Sequence, residues 1–460
     1  MFNTIRNAWR IPDLRKKILY TLLIIIVFRF GSVIPAPFLD ASALSELMAS
    51  AGENSALGYI NMLTGGAFSY ASLFAMGITP YINSSIIMQL LTIAIPLLER
   101  MAKEGEEGRK KIATITRYVT VILGLIQGVA YYFYLRSQGI VEYTDGFAGV
   151  FVAFVIVLTF TAGTALIMWM GEQINDKGVG NGISIILFAG IVSRFPRMIS
   201  DCVSGVTIWS AVKNGTMTEE TLTAAGYTEA QAQAYLNGAL APWSIALLVI
   251  GMLALIAFIV FINDAERRIP VQYAKRQVGR KMYGGQSSTL PMKVNMSGVL
   301  PIIFAQSIAM IPSTIAAFCK QPKEGTFWYG FLNAIDTKSV LYMIFYFLMI
   351  IAFSYFYATI QFNPVEISNN LKKNGGFIPG FRPGNPTAAF IQKVLNKVTL
   401  FGAVYLGIVA ILPLIIGKIV NVAALSIGGT SVIIVVGVAL ETVQALESQM
   451  LMRQYKGFLE

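Results

Sequence analysis

Ten runs of apolar residues, each close to the length that crosses a bilayer, decide what this chain can fold into. They cover approximately residues 18–34, 73–98, 114–135, 149–171, 181–200, 243–262, 299–318, 339–361, 394–417 and 429–447. A helix needs about 20 mostly apolar residues to cross the hydrocarbon core. Lipid offers no hydrogen bond to an exposed backbone, so each run has to be helical. Composition agrees, because only 13% of the 460 residues are charged and 55% are hydrophobic. A soluble chain carries roughly a quarter of its residues charged. The expected architecture is an all-α integral membrane protein with ten transmembrane helices.

The loops orient these spans. The N-terminus carries Arg6, Arg10, Arg15, Lys16 and Lys17, whereas residues 35–72 hold no Lys or Arg. The next loop carries Arg100, Lys103, Arg109, Lys110 and Lys111, and the following one only Arg136. Basic residues return after span 6 and again after span 8. Excess Lys and Arg mark cytoplasmic loops, which puts both termini and the even-numbered loops in the cytoplasm. The net charge of +11 follows from the same rule, although a basic cytoplasmic face also suits a ribosome. Arg6 to Lys17 lead into a first span that reads as a retained anchor.

Ten spans divide into residues 1–200 and 243–460, with a polar external stretch at 201–242 between them. Five spans per half make the halves inversely oriented, an arrangement that places a pathway at their interface. In the external stretch, Thr218-Glu219-Glu220 and Thr228-Glu229 open two short helical patterns, so a small surface hairpin is expected there.

Several function classes fit poorly. The chain has no histidine, which removes His-based catalysis and His metal sites, and Cys202 and Cys319 match no metal-ligand spacing. No phosphate-binding Gly-x-x-x-x-Gly-Lys-Ser/Thr loop is present, so no cofactor is expected and energy has to come from a partner. At membrane depth stand only Arg29 in span 1 and Glu441 in span 10. A proton-coupled transporter buries carboxylates there and an intramembrane enzyme needs a catalytic constellation, whereas a passive pore needs neither.

Two basic loops, 263–298 and 363–393, are longer than a connection requires. The first carries Arg267, Arg268, Lys275, Arg276, Arg280 and Lys281, and the second Lys372, Lys373 and Arg382. Proline and glycine in Phe377-Ile378-Pro379-Gly380-Phe381-Arg382-Pro383-Gly384 set a tight turn with Arg382 at its tip. Its planar donor fork suits carboxylates or phosphates, so these loops read as docking arms.

The motifs in these loops carry a resemblance. Gln272-Tyr273-Ala274-Lys275-Arg276-Gln277, Lys293-Val294-Asn295-Met296-Ser297-Gly298-Val299, Asn370-Leu371-Lys372-Lys373-Asn374-Gly375 and Phe377 to Gly384 resemble those of the bacterial SecY family. So do Gly77-Ile78-Thr79-Pro80-Tyr81-Ile82, Gly171-Glu172-Gln173-Ile174 and Gly180-Asn181-Gly182-Ile183-Ser184-Ile185. The match runs in order from span 1 to the C-terminal tail, and the long 201–242 stretch departs from it.

That resemblance implies a clam-shaped channel in the plasma (inner) membrane that passes unfolded secretory polypeptides and releases apolar segments sideways into lipid. Carried over residue by residue, it implies a pore ring of Ile78, Ile82, Ile183, Leu187, Ile303 and Ile434. It implies a plug, a short helix within about 57–72, with Leu63, Gly65 and Gly66 forming part of it and the glycine pair acting as a flexible joint. It implies a lateral gate between spans 2 and 7, flanked by spans 3 and 8. There span 2 carries Asn83, Ser84, Ser85 and Gln89, and span 7 carries Pro301, Gln306, Ser307 and Pro312. The implied partners are SecE and SecG in a heterotrimer, the SecA ATPase, the ribosome, signal sequences and membrane lipid.

Overall fold

The computed structural model describes residues 2–51, 61, 64–214, 216–218, 221–222, 236, 241–273, 276–278, 281–283, 287–296, 298–318, 330–331, 339–420 and 429–456. Each of the ten apolar runs contains a helix in it. Span 1 is Pro12–Gly31, span 2 starts as Thr79–Ala94, span 3 is Glu106–Ser137 and span 4 is Gly146–Lys177. Span 5 starts as Gly182–Val192, span 6 is Pro242–Asp264 and span 7 is Leu300–Phe318. Span 8 is Val340–Gln361, span 9 is Asn385–Val420 and span 10 is Gly429–Lys456. The chain is a multi-pass membrane protein.

Among the described residues, six helices are long and apolar enough to cross a membrane, or seven when a bent pair in span 2 counts as one. The other three are modified for visible reasons. Span 1 opens with Asp13, Arg15, Lys16 and Lys17 and carries Arg29 near its end. The first helix of span 5 has 11 residues, and span 7, Leu300–Phe318, carries Pro312 inside its helix.

Two spans differ from their expected outlines. In span 2 the helix begins only at Thr79, because residues 64–77 form a series of turns. It breaks before Pro96, where Ile95 is extended (φ −107°, ψ 113°) as a residue preceding proline prefers. The following helix, Pro96–Lys103, leaves at 99°. In span 5 the helix stops at Val192 and restarts as Phe195–Lys213. Residues 201–213 of the expected external loop are therefore helical. Beyond them Leu222 N–H donates to the Thr218 carbonyl (3.1 Å), one helical turn. Glu219, Glu220, Thr228 and Glu229 lie outside the described residues.

In the first half span 2 packs on span 3, span 3 on span 4 and span 4 on span 5, with span 1 against spans 4 and 5. In the second, span 7 packs on span 8, span 8 on span 9 and span 9 on span 10, with span 6 against span 10. The halves meet along two lines. Span 5 packs on span 10, and the N-terminal helix Phe2–Arg10 lies against span 10 as well. On the other line, spans 2 and 3 pack on span 7.

The loop at 263–298 is built of strands, which charge and composition did not reveal. Strand β1 (Glu266–Tyr273) pairs antiparallel with β4 (Ser287–Lys293), and between them β2 (Arg276–Val278) pairs with β3 (Lys281–Tyr283). Strand β5 (Gly376–Phe377), from the second loop, adds to the far side of β1, giving the order β4-β1-β5. Ile269, Val271 and Met292 bury against Ala358, Ile378, Ile391 and Leu395. The two expected arms are one knob with its own small core.

Candidate functional site

Local sequence sets each element that carries a ring residue. Asn181 caps span 5, its side chain accepting the Ile183 N–H (3.1 Å), while Asn175 Oδ1 accepts the Gly182 N–H (2.7 Å). Gly182 lies against the Gly171 carbonyl so closely that a Cβ would collide with it. The Gly171 and Gly180–Ile185 motifs thereby lock spans 4 and 5 together and fix where Ile183 and Leu187 stand. In span 2, Pro80 occupies the first turn, where its missing N–H costs nothing, and Ile82 N–H bonds the Ile78 carbonyl (3.1 Å). In span 7, Pro301 plays the same part ahead of Ile303.

The six aliphatic ring candidates belong to or pack on one large hydrophobic cluster. Ile78, Ile82, Leu187, Ile303 and Ile434 are buried members of one hydrophobic cluster, and half-buried Ile183 packs against it. The cluster draws on both halves. Branched aliphatic side chains give water and ions no hydrogen bond. Ala67 and Phe74, from the turns ahead of span 2, belong to the same cluster.

Those turns are anchored from three sides. Arg29 Nη1 donates to the Gly65 carbonyl (2.7 Å), which gives the charge inside span 1 a backbone partner. Tyr131 of span 3 stacks on Phe68 (centroids 4.5 Å apart) and donates its hydroxyl to the Phe68 carbonyl (3.0 Å). Gly65 sits 2.9 Å, measured from a built Cβ, from both the Gly190 carbonyl and Ser193 Oγ at the break in span 5. With φ of +67° it occupies a region that suits glycine. The expected flexible joint is instead a packed left-handed turn, and residues 64–72 are turns rather than a helix. Leu63 lies outside the described residues.

The polar residues assigned to the span 2–7 seam divide. Ser84 is fully buried and faces span 3, donating to the Thr116 carbonyl (2.9 Å) and accepting from Thr120 Oγ1 (2.8 Å). It is a span 2–3 contact, because its face of the helix turns inward to the half. Asn83 and Ser307 are half-buried. Gln306 is buried, and its amide donates within its own helix to Met310 Sδ (3.8 Å). Gln89 does cross between the halves, but to span 8, where the Tyr357 hydroxyl donates to its Oε1 (2.8 Å). Phe304 of span 7 fills the space beside that bond, 5.4 Å from Tyr357 and 6.2 Å from Phe353 between ring centroids. Sequence reasoning missed Tyr357. Its signal was a polar-tipped aromatic in an apolar span, a group that seeks a partner when buried.

On the knob, Arg267, Lys372, Lys373 and Arg382 are exposed. Arg268 is exposed too, but its guanidinium pairs with Glu266 (Nε to Oε1, 2.6 Å). Lys275 and Arg280 lie outside the described residues, and Arg276 and Lys281 are described in backbone only, within β2 and β3. The backbone under Arg382 is fixed by three contacts. Phe381 stacks on Phe390 at 4.2 Å, Thr387 Oγ1 donates to the Arg382 carbonyl (2.8 Å), and Ser368 Oγ donates to the Gly384 carbonyl (2.7 Å). Among the described residues no carboxylate pairs with Arg382.

With this geometry in place, comparison with known proteins is informative. The family model SecY matches residues 72–443. The chain is 40% identical over 467 residues to a protein translocase subunit SecY of Streptomyces scabiei, covering all of both chains. It is 43% identical over 465 residues to that of Halalkalibacterium halodurans, again covering all of both. Among solved structures, a protein-conducting channel aligns with a TM-score of 0.57 at 14% identity, covering 95% of this chain and 92% of that one. A SecY structure concerned with the plug domain and the closed state aligns with a TM-score of 0.58 at 15% identity, with the same coverage. Sec61 from a canine ribosome-channel complex aligns at 0.56 with 16% identity. The full-length identity, the matched family model and the shared ten-span fold lead to one conclusion: this chain belongs to the SecY family of protein translocase channel subunits.

Proposed function

We propose that this chain is a passive, gated pore through which unfolded secretory polypeptides cross the membrane, and from which apolar segments leave sideways between spans 2 and 7. One observation carries the reading: Ile78, Ile82, Leu187, Ile303 and Ile434, contributed by spans 2, 5, 7 and 10, are all buried members of one hydrophobic cluster that draws on both halves. A contact made only of aliphatic groups holds back ions at rest and yields to any side chain that passes. Residues 64–72 close the outer side as a plug. The chain has no histidine and acts without catalysis, its energy arriving from outside the membrane.

The cytoplasmic knob receives that energy. An arginine held out on a rigid turn offers a partner a preformed contact, and forward placement of Lys372 and Lys373 at a helix C-terminus adds positive charge. We assign the SecA ATPase and the ribosome to this face, with both termini on the same cytoplasmic side of the plasma membrane. SecE and SecG complete a heterotrimer against the exposed apolar spans. The neighbouring Sec61 structure is itself a ribosome-channel complex. Reconstitution tests the reading. Vesicles containing the chain, its small subunits and the ATPase are expected to take up an unfolded secretory precursor into a protease-protected space. Protection no greater than in vesicles lacking the chain contradicts it.

A further inference from the structure

Glu441 stands within span 10, and the pore does not explain it. Its carboxylate accepts the backbone N–H of Val299, the residue immediately before span 7. The approach is close: Gly298 has φ of +63°, and a Cβ there would collide with Glu441 Oε1. One turn earlier on span 10, a Cβ on Gly437 would collide with Val299 Cγ1, so Val299 is seated directly on that glycine. Gly437 and Glu441 stand four residues apart, on one face of the helix. Ile434, seven residues before Glu441, shares that face.

The same turn touches two other elements. Thr442 Oγ1 lies 3.3 Å from a built Cβ on Gly180, which leads into the Asn181 cap and the span 5 helix carrying Ile183. Lys293, the last residue of β4, donates to Gln444 Oε1 (2.7 Å). The root of the hairpin is itself clamped, with Asn295 Nδ2 donating to Asn263 Oδ1 (2.9 Å) and Val294 N–H to the Ala265 carbonyl (2.9 Å). Val299 then carries the helix forward, its carbonyl accepting the Ile303 N–H (3.3 Å). A short connected path therefore runs from the cytoplasmic hairpin through residues 437–444 to ring residues of spans 5, 7 and 10.

We propose that the 437–442 turn of span 10 is the joint through which movement of the cytoplasmic hairpin reaches the pore ring, with Glu441 as the positioning residue for Ile303 and Ile434. The inference rests on the reading of those residues as a closure. A half-buried carboxylate suits this task, because its bond to Val299 N–H ties span 10 to the start of span 7 while Lys293 of the hairpin lies within reach of its charge. Displacing the hairpin pulls Lys293 and Val299 against span 10, so the ring residues shift as a set.

The test is resting ion conductance of the complete complex in planar bilayers. Glu441→Ala is expected to raise it about 5-fold, the scale of a lost coupling contact. Glu441→Gln keeps an oxygen acceptor for Val299 and is expected to stay near the wild-type level. Lys293→Ala is expected to raise conductance less, and the double variant no further than Glu441→Ala alone. Additive effects mark two independent structural contacts and overturn the joint, as does wild-type conductance in Glu441→Ala. Should Glu441→Ala fail to insert, Gly437→Ala pushes a methyl group into Val299 and tests the same joint, with unchanged conductance counting against it. Ile303→Gly serves as the control: if it does not leak either, the pore reading fails rather than the joint.

Discussion

Tyr357 and Gly65 are the residues whose consequences are most direct. The Tyr357 hydroxyl bonds Gln89 across the halves, and such bonds in membranes are worth about 0.6–2 kcal/mol. Tyr357→Phe keeps the ring packed beside Phe304 and removes only that bond. Opening of the seam is expected to become about 3- to 30-fold easier. Export of a precursor with a weakened signal sequence measures it: a rise is expected, and wild-type export sets the bond aside. Gly65→Ala combines a left-handed backbone with a clash against the Gly190 carbonyl, a strain of about 1–3 kcal/mol. A cysteine at position 67, buried in the parent, is expected to react faster with a maleimide in that background. Unchanged labelling means that residues 64–72 tolerate the methyl group in place. Neither effect was legible beforehand. Gln89 was identifiable as a polar group in span 2, but its partner stands 268 residues away in the chain, and no local pattern announces it. Ser84 reads identically in sequence, yet the helix rotates it toward span 3.

At the scale of elements, the knob separates recognition from folding. Arg382→Glu reverses the exposed charge while Phe381, Thr387 and Ser368 still hold the turn, so partner-driven translocation into vesicles is expected to be lost with the fold retained. Undiminished translocation removes Arg382 from the docking contact. Ile269→Asp places a carboxylate in the small core shared with Ile378 and Leu395, and burying it unpaired costs about 3 kcal/mol or more. Hydrogen exchange is expected to accelerate across β1 and β4 while spans 8 and 9 stay protected; uniform protection contradicts an autonomous core. The strands were half legible. Ile269, Val271 and Tyr273 alternate with period two, but the run is short and basic and reads first as a topology signal. Its pairing with Gly376 and Phe377 from the other loop required the structure. The helices were legible because lipid forces the backbone to satisfy itself, whereas Pro96 and the break after Val192 moved their ends.

Taken whole, the molecule is two five-span halves in contact along spans 5 and 10 on one line and spans 2, 3 and 7 on the other. The N-terminal segment reinforces the first line, with Thr4 Oγ1 donating to Glu447 (2.9 Å) and Lys17 Nζ to Gln449 (3.2 Å). In the proposed gated pore that line is the hinge and the Gln89–Tyr357 line the edge that parts. Bridging cysteines at 89 and 357 with a short bis-maleimide is therefore expected to block release of apolar segments into lipid, which free release by the bridged form contradicts. Span number was legible in hydropathy, while the gathering of the aliphatics into one cluster across both halves was not, since each is an apolar residue in an apolar helix. The decisive measurement is current through a planar bilayer holding the resting complex, before and after Ile78, Ile82, Leu187, Ile303 and Ile434 are replaced by glycine. The account predicts a silent parent and a conducting variant; a variant as silent as its parent means that no passage is closed there.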